Sequence, residues 1–562
     1  MKKALHKFNH PTVFVGAGLL ITFVVLMIWL PGELWRLPIQ TYDTPAHLNY
    51  IREILDKGFG AALELKFEGG FYPPLFHLIG AGFTPMLGGS VVSGATATWL
   101  LGAWLIFPLG MVWFVRSLIR HNYLKFKLST NVVYLTTIIL STSFAVFPYL
   151  FLNVGTLYSY GFAMAFTPWV LAFGIDFLYQ KNLRSALSCL TAGLLMCLAQ
   201  PRAVFATAII ALPFIIQYLV MLYKKDRKLF RKVVIGLAST ALIAIAAVGF
   251  YVATRLKSSL LFHPGSWFPG LDVHAGWLDS TWQYVSGAAW YMSVDWFFAA
   301  VLLVILIVNI VCYKKLKTGK FLISWLIFGL LYVLAASGDF ALAKLVSAPW
   351  YKNPWRIIAV LPVVIIPMIL AAVNLLVKKV GRVRIISALF VVLGLSLLIF
   401  NSGNYQIRWT LIQQTATDNP YAMLSDQKIA TFAAVRDQTG ANSIVIADPF
   451  TGAPLAYALT GQALLFSIQN PRLDNSADMV NMLAGWSETD IDRICAVRPD
   501  QTKYFLDLGA IYTDFDPIYH TYNIFHDATT RQDFLKRGWL TTVKQFASGQ
   551  AEPFTLYKIN CN

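Results

Sequence analysis

Tyr42-Asp43-Thr44-Pro45-Ala46-His47-Leu48-Asn49-Tyr50-Ile51-Arg52 follows the first long apolar run directly. Thr44-Pro45 opens a helix, because proline at the first helical position lacks only an N–H that would have no partner there. Asp43 stands at or beside the cap, and His47 follows about one turn later. Leu48, Ile51 and Leu55 supply an apolar face. The expected element is a short helix on the outer membrane surface, with a carboxylate and an imidazole near its start. Two readings of the pair stand side by side. In one, Asp43 caps the helix and His47 is interfacial; in the other, they carry chemistry at the membrane surface.

The surroundings are those of a polytopic membrane protein. Of 562 residues, 57% are hydrophobic, 15% aromatic and only 13% charged. Mean hydropathy is +0.59. No soluble fold needs that much apolar surface. The formal charge of +17 suggests nucleic acid until its distribution is examined. Residues 1–402 hold 33 Lys/Arg against 12 Asp/Glu, whereas residues 403–562 hold 12 against 16. The excess belongs to the membrane part and reports topology, so no nucleic-acid partner is expected.

Apolar runs of spanning length fall at about 12–32, 93–115, 132–152, 158–179, 185–200, 203–222, 233–254, 294–313, 320–337, 356–377 and 384–402. If these eleven runs cross from a cytoplasmic N-terminus, every basic cluster falls inside: Lys2 to Lys7, Arg116 to Lys127, Lys181/Arg184, Lys224 to Lys232, Lys314 to Lys320 and Lys378 to Arg384. The stretch Phe71 to Leu87 must then not cross. Its Pro73-Pro74, His77, Gly80, Gly82 and Pro85 suit an interfacial helix instead. The Lys-rich start resembles a signal peptide, but the apolar run is long and no small-residue cleavage site precedes Pro31-Gly32-Glu33, so a retained first span is expected.

The outer loops hold the candidate chemistry. Arg202, in the turn Gln200-Pro201-Arg202, faces headgroups or an anion. The 255–293 loop holds several tryptophans including Trp290, which suit an interfacial belt or a sugar platform, and His263, Asp272 and His274, whose residue types suit a divalent metal at an unspecific spacing. Pro349-Trp350-Tyr351-Lys352-Asn353-Pro354-Trp355-Arg356 places Lys352 and Arg356 against the positive-inside tendency. An anionic partner would account for them, since a guanidinium clamps a phosphate with two parallel hydrogen bonds. No CxxC, HExxH, GxGxxG or Walker pattern occurs, so a metal or nucleotide site has no motif support and no cofactor is expected.

The tail from about 403 reads as a small extracytoplasmic α/β domain. Strands are expected at Asn442–Asp448, Ala463–Ile468 and Lys503–Leu508, with helices at Thr451–Leu459 and Thr489–Val497. Their alternation suggests a partly parallel sheet. Cys495 and Cys561 both lie in this outward tail, where the compartment permits a bridge between them. The domain division is thus 1–402, including the outer loop 33–92, and 403–562.

The order of parts resembles the GT-C superfamily of integral-membrane glycosyltransferases. A cytoplasmic start leads to a first span, a long outer loop with an early Asp, two surface helices, many spans and an outward soluble domain. Tyr42 to Leu48, Pro349 to Arg356, and Ala447-Asp448-Pro449 through Ala456 to Gly461 are similar to a branch found in actinobacterial cell envelopes. The resemblance implies an all-α polytopic membrane domain of about 11 transmembrane helices, with outer-face juxtamembrane helices and a C-terminal α/β domain. It implies transfer from a polyprenyl-phosphate sugar, arabinofuranosyl or mannosyl by analogy, to an envelope glycan or glycolipid at the outer face of the plasma membrane. In that frame Asp43 is the catalytic base. Arg356, Arg202, Lys352 and His47 bind the donor phosphate, and Tyr42, Tyr351, Asn353 and Trp290 contact substrate. The usual paired acidic motif is here Asp43-Thr44, a single acid, which lowers the expectation of a metal. The alternative from another class is a lipid or solute transporter, although no internal repeat is visible.

Overall fold

The computed structural model describes residues 11–67, 70–153, 157–236, 238–239, 242, 246, 275–289, 292–469, 476–512 and 519–561. The chain divides into two compact units. One is Met1–Leu30, Trp99–Val154 and Tyr158–Trp409; the other is Pro31–Thr98, Gly155–Leu157 and Thr410–Asn562.

The protein is a polytopic membrane protein. Among the described residues eight helices of 19 to 33 residues are long and apolar enough to cross a bilayer. They are Pro11–Trp29, Val91–Arg120, Tyr158–Gln180, Ala203–Lys225, Trp296–Leu316, Gly319–Ser337, Pro354–Val380 and Val383–Thr415. The run at 132–152 is broken instead: Thr130–Ser141 and Ala145–Asn153 meet at 49°. The run at 185–200 becomes the 17-residue helix Leu183–Ala199, whose Leu187, Leu190 and Leu194 face outward. Most of the run at 233–254 lies outside the described residues. Pro354–Val380 is buried along nearly its whole length and forms the centre of its unit. Some polar groups of these helices are matched. Asn309 donates to Ile305 O at 2.8 Å and Met368 O at 3.1 Å, while Asp176 accepts from Ser117 and pairs with Arg120 and His121. Unmatched groups would be costly in an apolar medium.

In the other unit the first loop begins with the helix Thr44–Lys57, proline in its first turn as expected. Its buried face is Leu48, Ile51 and Ile54, not Leu55, which is 36% exposed. Two short strands, β1 (Lys66–Phe67) and β2 (Gly70–Phe71), turn the chain back. The helix Leu75–Met86 follows. Its 12 residues span about 18 Å, short of the roughly 30 Å a crossing needs, in keeping with a non-crossing Phe71–Leu87. Gly80 lets the two helices meet: a Cβ there would lie 2.7 Å from Ile51 Cδ1.

The tail carries a four-stranded sheet of β3 (Ser443–Ile446), β4 (Thr502–Asp507), β5 (Leu540–Phe546) and β6 (Phe554–Ile559), ordered β3-β4-β6-β5. β3 and β4 are parallel, as the strand–helix alternation suggests; β4/β6 and β6/β5 are antiparallel. The expected strand at Ala463–Ile468 reduces to one bridge, Leu464 to Val445. Ile444, Ile446, Phe450, Trp486, Phe505 and Phe525 lie at the centre of its core. Cys495 and Cys561 are bridged, closing a loop 66 residues long. Chain entropy puts the ceiling on that crosslink near about 4 kcal/mol. Cys495→Ser/Cys561→Ser is therefore expected to lower the Tm of the tail transition in the full-length protein. An unchanged Tm would show the bridge to be energetically idle.

Lys428 is buried beneath the sheet's approach, its ammonium donating to Ala422 O and Thr451 O, each at 2.7 Å. Burial pulls its pKa down to about 7. The unfolded chain holds that proton up to the ordinary lysine range near 10.4. Between these limits the unfolded state binds more protons, so stability must rise with pH. Denaturation of the full chain from pH 7 to 10 should show that slope, and Lys428→Met should flatten it. Equal slopes in both would place the titration elsewhere.

Candidate functional site

Asp43 sits in a turn that the tail holds in place. Gln40 takes Gln414 O through its backbone N–H at 2.9 Å, and its side chain bonds Ala416 O at 2.6 Å and Leu424 N–H at 2.8 Å. Thr41 and Thr44 hydroxyls meet at 3.0 Å across the turn. Asp43 is the residue before the helix, yet its side chain makes no cap hydrogen bond to the first turn. Tyr42 beside it is 36% exposed.

His47 is not presented to solvent as the surface-helix reading expects. It is 5% exposed and its Nδ1 lies 3.0 Å from Nε2 of His77. The two rings are nearly parallel, 14° apart, with Tyr50 and Tyr72 edge-on to His77 or tilted beside it. His77 is fully buried, and that burial, then the neighbouring His47, push its pKa well below the ordinary imidazole value. A neutral His77 can share one proton with His47 and fix its ring. In the sequence His77 counts only among the residues that argue against a crossing at Phe71 to Leu87, with no role in the site; the Pro73-Pro74 helix start delivers it.

The segment Ala456 to Gly461 packs against the same helix. Asn49 donates to Pro454 O at 2.9 Å and also to Ser467 O. Burial and the adjacent Asp56 raise the Tyr457 phenol. Asp448 is 3% exposed; it caps Phe450 N–H at 2.7 Å and pairs with His526 at 2.7 Å. These tail residues thus hold structure, which accounts for their presence without a ligand.

The membrane unit holds a second constellation. Arg202 precedes the helix Ala203–Lys225, and its guanidinium carbon lies 3.1 Å from the Tyr351 ring centre. Arg356 lies 4.8 Å from the same ring and 5.7 Å from that of Tyr160. One tyrosine therefore serves two guanidiniums. Tyr160, missed in the sequence as part of an apolar run, also donates to Arg356 O at 3.0 Å. Tyr351 and Lys352 both adopt left-handed backbone, φ 57° and 53°. Such strain in bulky residues persists only where surroundings impose it. Asn353 caps the next turn, accepting Arg356 N–H at 3.1 Å. Lys352 helps the ion pair with Lys344 hold the exposed Asp339 carboxyl below its usual range. The Nε and Nη1 of Arg356 are shut off from solvent with no hydrogen-bond partner among the described residues. Two cations gathered at one ring, one with buried donors unused among the described residues, have the chemistry to receive an anion. Trp290, His263, Asp272 and His274 lie outside the described residues. Among the described residues no three His, Cys, Asp or Glu side chains group as metal ligands would.

Residues 3–560 match the model of a family described as Family of unknown function (DUF6541). Among solved structures, ArnT from Cupriavidus metallidurans in the apo state is similar at 12% identity and a TM-score of 0.53, over 97% of this chain and 98% of that one. The archaeal oligosaccharyltransferase AglB from Archaeoglobus fulgidus, in complex with an inhibitory peptide and a dolichol-phosphate, aligns at 12% identity and a TM-score of 0.41. That alignment covers 88% of this chain and 69% of AglB. No curated protein matches the sequence. The likeness to ArnT over nearly the whole of both chains bears out the GT-C-like fold.

Proposed function

The chain belongs to the DUF6541 family, and we propose that it is a membrane glycosyltransferase using a polyprenyl-phosphate sugar as donor. The observation that carries this reading is Arg356, whose buried Nε and Nη1 lack partners among the described residues beside the shared Tyr351 ring. Arg356 and Arg202 take the donor phosphate, and Lys352 adds charge nearby. A planar guanidinium forks onto a phosphate with two parallel hydrogen bonds, and a lipid carrier delivers that phosphate at the membrane surface. Tyr351 orients both arginines, and Asn353, which caps the turn carrying Arg356, contacts the sugar.

Asp43 is the general base. It takes the proton of an acceptor hydroxyl, whose oxygen attacks the anomeric carbon. The glycosidic C–O bond forms as the bond from that carbon to the phosphate oxygen breaks. The electron pair leaves on the lipid phosphate, where the arginines neutralise it, and configuration inverts. His47, fixed by His77, holds the turn that carries Asp43. The acceptor is a cell-envelope glycan or glycolipid at the outer face.

The test is transfer by the purified full-length protein in detergent, from radiolabelled arabinofuranosyl and mannosyl polyprenyl phosphates to envelope-glycan acceptors. Labelled product with inverted linkage is expected. Movement of the lipid across proteoliposomes without any transfer would replace this reading with transport.

A further inference from the structure

A cavity of about 560 Å³ lies in the membrane unit, at the end that carries its basic clusters. Its polar wall comes from the turn after Val91–Arg120, from Tyr179, and from the turn joining Trp296–Leu316 to Gly319–Ser337. Lys314, Lys317 and Lys320 line it and no Asp or Glu does. Asp176, which pairs with His121 of this wall, is also held by Ser117 and Arg120. Lys320 Nζ lies 4.7 Å from the Tyr123 ring centre, and Tyr123 is in turn bonded to Tyr179 at 2.7 Å. Lys317 reaches Asn122 O at 3.4 Å. The opposite wall is apolar: Ile216, Ile323 and Ile327, with Ile216 and Ile323 each 50% exposed toward the bilayer. The cavity is therefore cationic at one end and open to lipid at the other.

We propose that this cavity binds the phosphate headgroup of an anionic membrane lipid, with an acyl chain along Ile216 and Ile323. Basic pockets between spans on the cytoplasmic side recognise such headgroups. The flanking Lys224, Lys225 and Lys315 put the cavity at that leaflet. It is separate from the donor-phosphate residues. Arg202 starts the helix Ala203–Lys225 and Gln217 lines the cavity further along it, about 20 Å away at 1.5 Å per residue. Neither proposal depends on the other, and each is tested by its own variants.

Native mass spectrometry of the full-length protein in neutral detergent reads the site, titrated with phosphatidylglycerol, phosphatidylcholine or inorganic phosphate. Phosphatidylglycerol should bind at least tenfold tighter than phosphatidylcholine. Lys317→Gln/Lys320→Gln should weaken it fivefold or more, and Lys378→Gln/Lys379→Gln, on exposed basic residues away from the cavity, should not. Ile216→Trp fills the apolar half and should weaken lipid binding by a similar factor, which serves should the lysine pair fail to fold. Equal binding of both lipids, or equal loss in both lysine pairs, overturns the proposal. Inorganic phosphate binding as tightly as phosphatidylglycerol would make the occupant a soluble phosphate and overturn the lipid assignment.

Discussion

Asp43→Asn abolishes measurable transfer while leaving donor binding and Tm in place: this is the outcome expected of a general base whose carboxylate does not cap its helix. Loss of a positioned base removes a factor of roughly 10²–10⁴. Asparagine keeps the shape and one acceptor oxygen but cannot take a proton at neutral pH. Asp43 precedes the helix Thr44–Lys57 and makes no side-chain cap hydrogen bond, so the loss of about 1 kcal/mol that follows removal of a true cap does not apply. Gln40 and the Thr41–Thr44 contact also tie the turn. A fall in Tm with unchanged transfer would return Asp43 to a structural role. Unchanged transfer with unchanged Tm would move the base to another acid. His77→Ala is the informative companion, because it frees His47 without touching the carboxylate.

What the sequence reveals here is what local composition encodes. The apolar runs, the basic clusters between them and the Pro/Gly punctuation of Phe71 to Leu87 are each written in a few adjacent residues. The helices at Pro11–Trp29, Ala203–Lys225 or Val383–Thr415 follow from them. The bridge between Cys495 and Cys561 was equally open to a compartment argument. Pairings over long separations were not. Asn49 meets Pro454 across 405 residues, and His47 meets His77 across 30. Nothing in either segment names its partner. The hairpin β5/β6 escaped for a different reason. Thr541, Thr542, Lys544 and Gln545 are mostly exposed edge residues, so the strand lacks the apolar alternation that marks a half-buried one. Ala463 to Ile468 erred the other way: an apolar run destined for burial need not be regular, and only Leu464 pairs. In the membrane unit, charge against the topology rule pointed to Lys352 and Arg356, and the tight turn Gln200-Pro201-Arg202 pointed to Arg202. The ring between the two arginines depends on left-handed backbone at Tyr351, which no propensity favours.

Arg356 offers the second large effect, with a signature that separates function from packing. Arg356→Gln is expected to lower kcat by roughly 10²–10³, the usual loss when one preorganised donor to a developing anion is removed. Arg356→Lys should fall between this variant and the wild type, since a point charge survives but the two-pronged fork does not. Stability should move otherwise. Nε and Nη1 of Arg356 are buried without partners, and no carboxylate pairs with it among the described residues. An unsatisfied buried donor destabilises by roughly 1–3 kcal/mol, against roughly 0.5–2 kcal/mol returned by stacking on an aromatic ring. Replacing it with an uncharged side chain should therefore leave Tm unchanged or raise it, while donor-lipid binding and transfer collapse together. A residue retained only to pack would do the opposite, losing Tm in step with activity, and that result would remove Arg356 from the phosphate site. The same test on Tyr351→Leu should lower transfer through both arginines at once. A residue acting through two others should cost no more in the triple variant than the arginines cost as a pair.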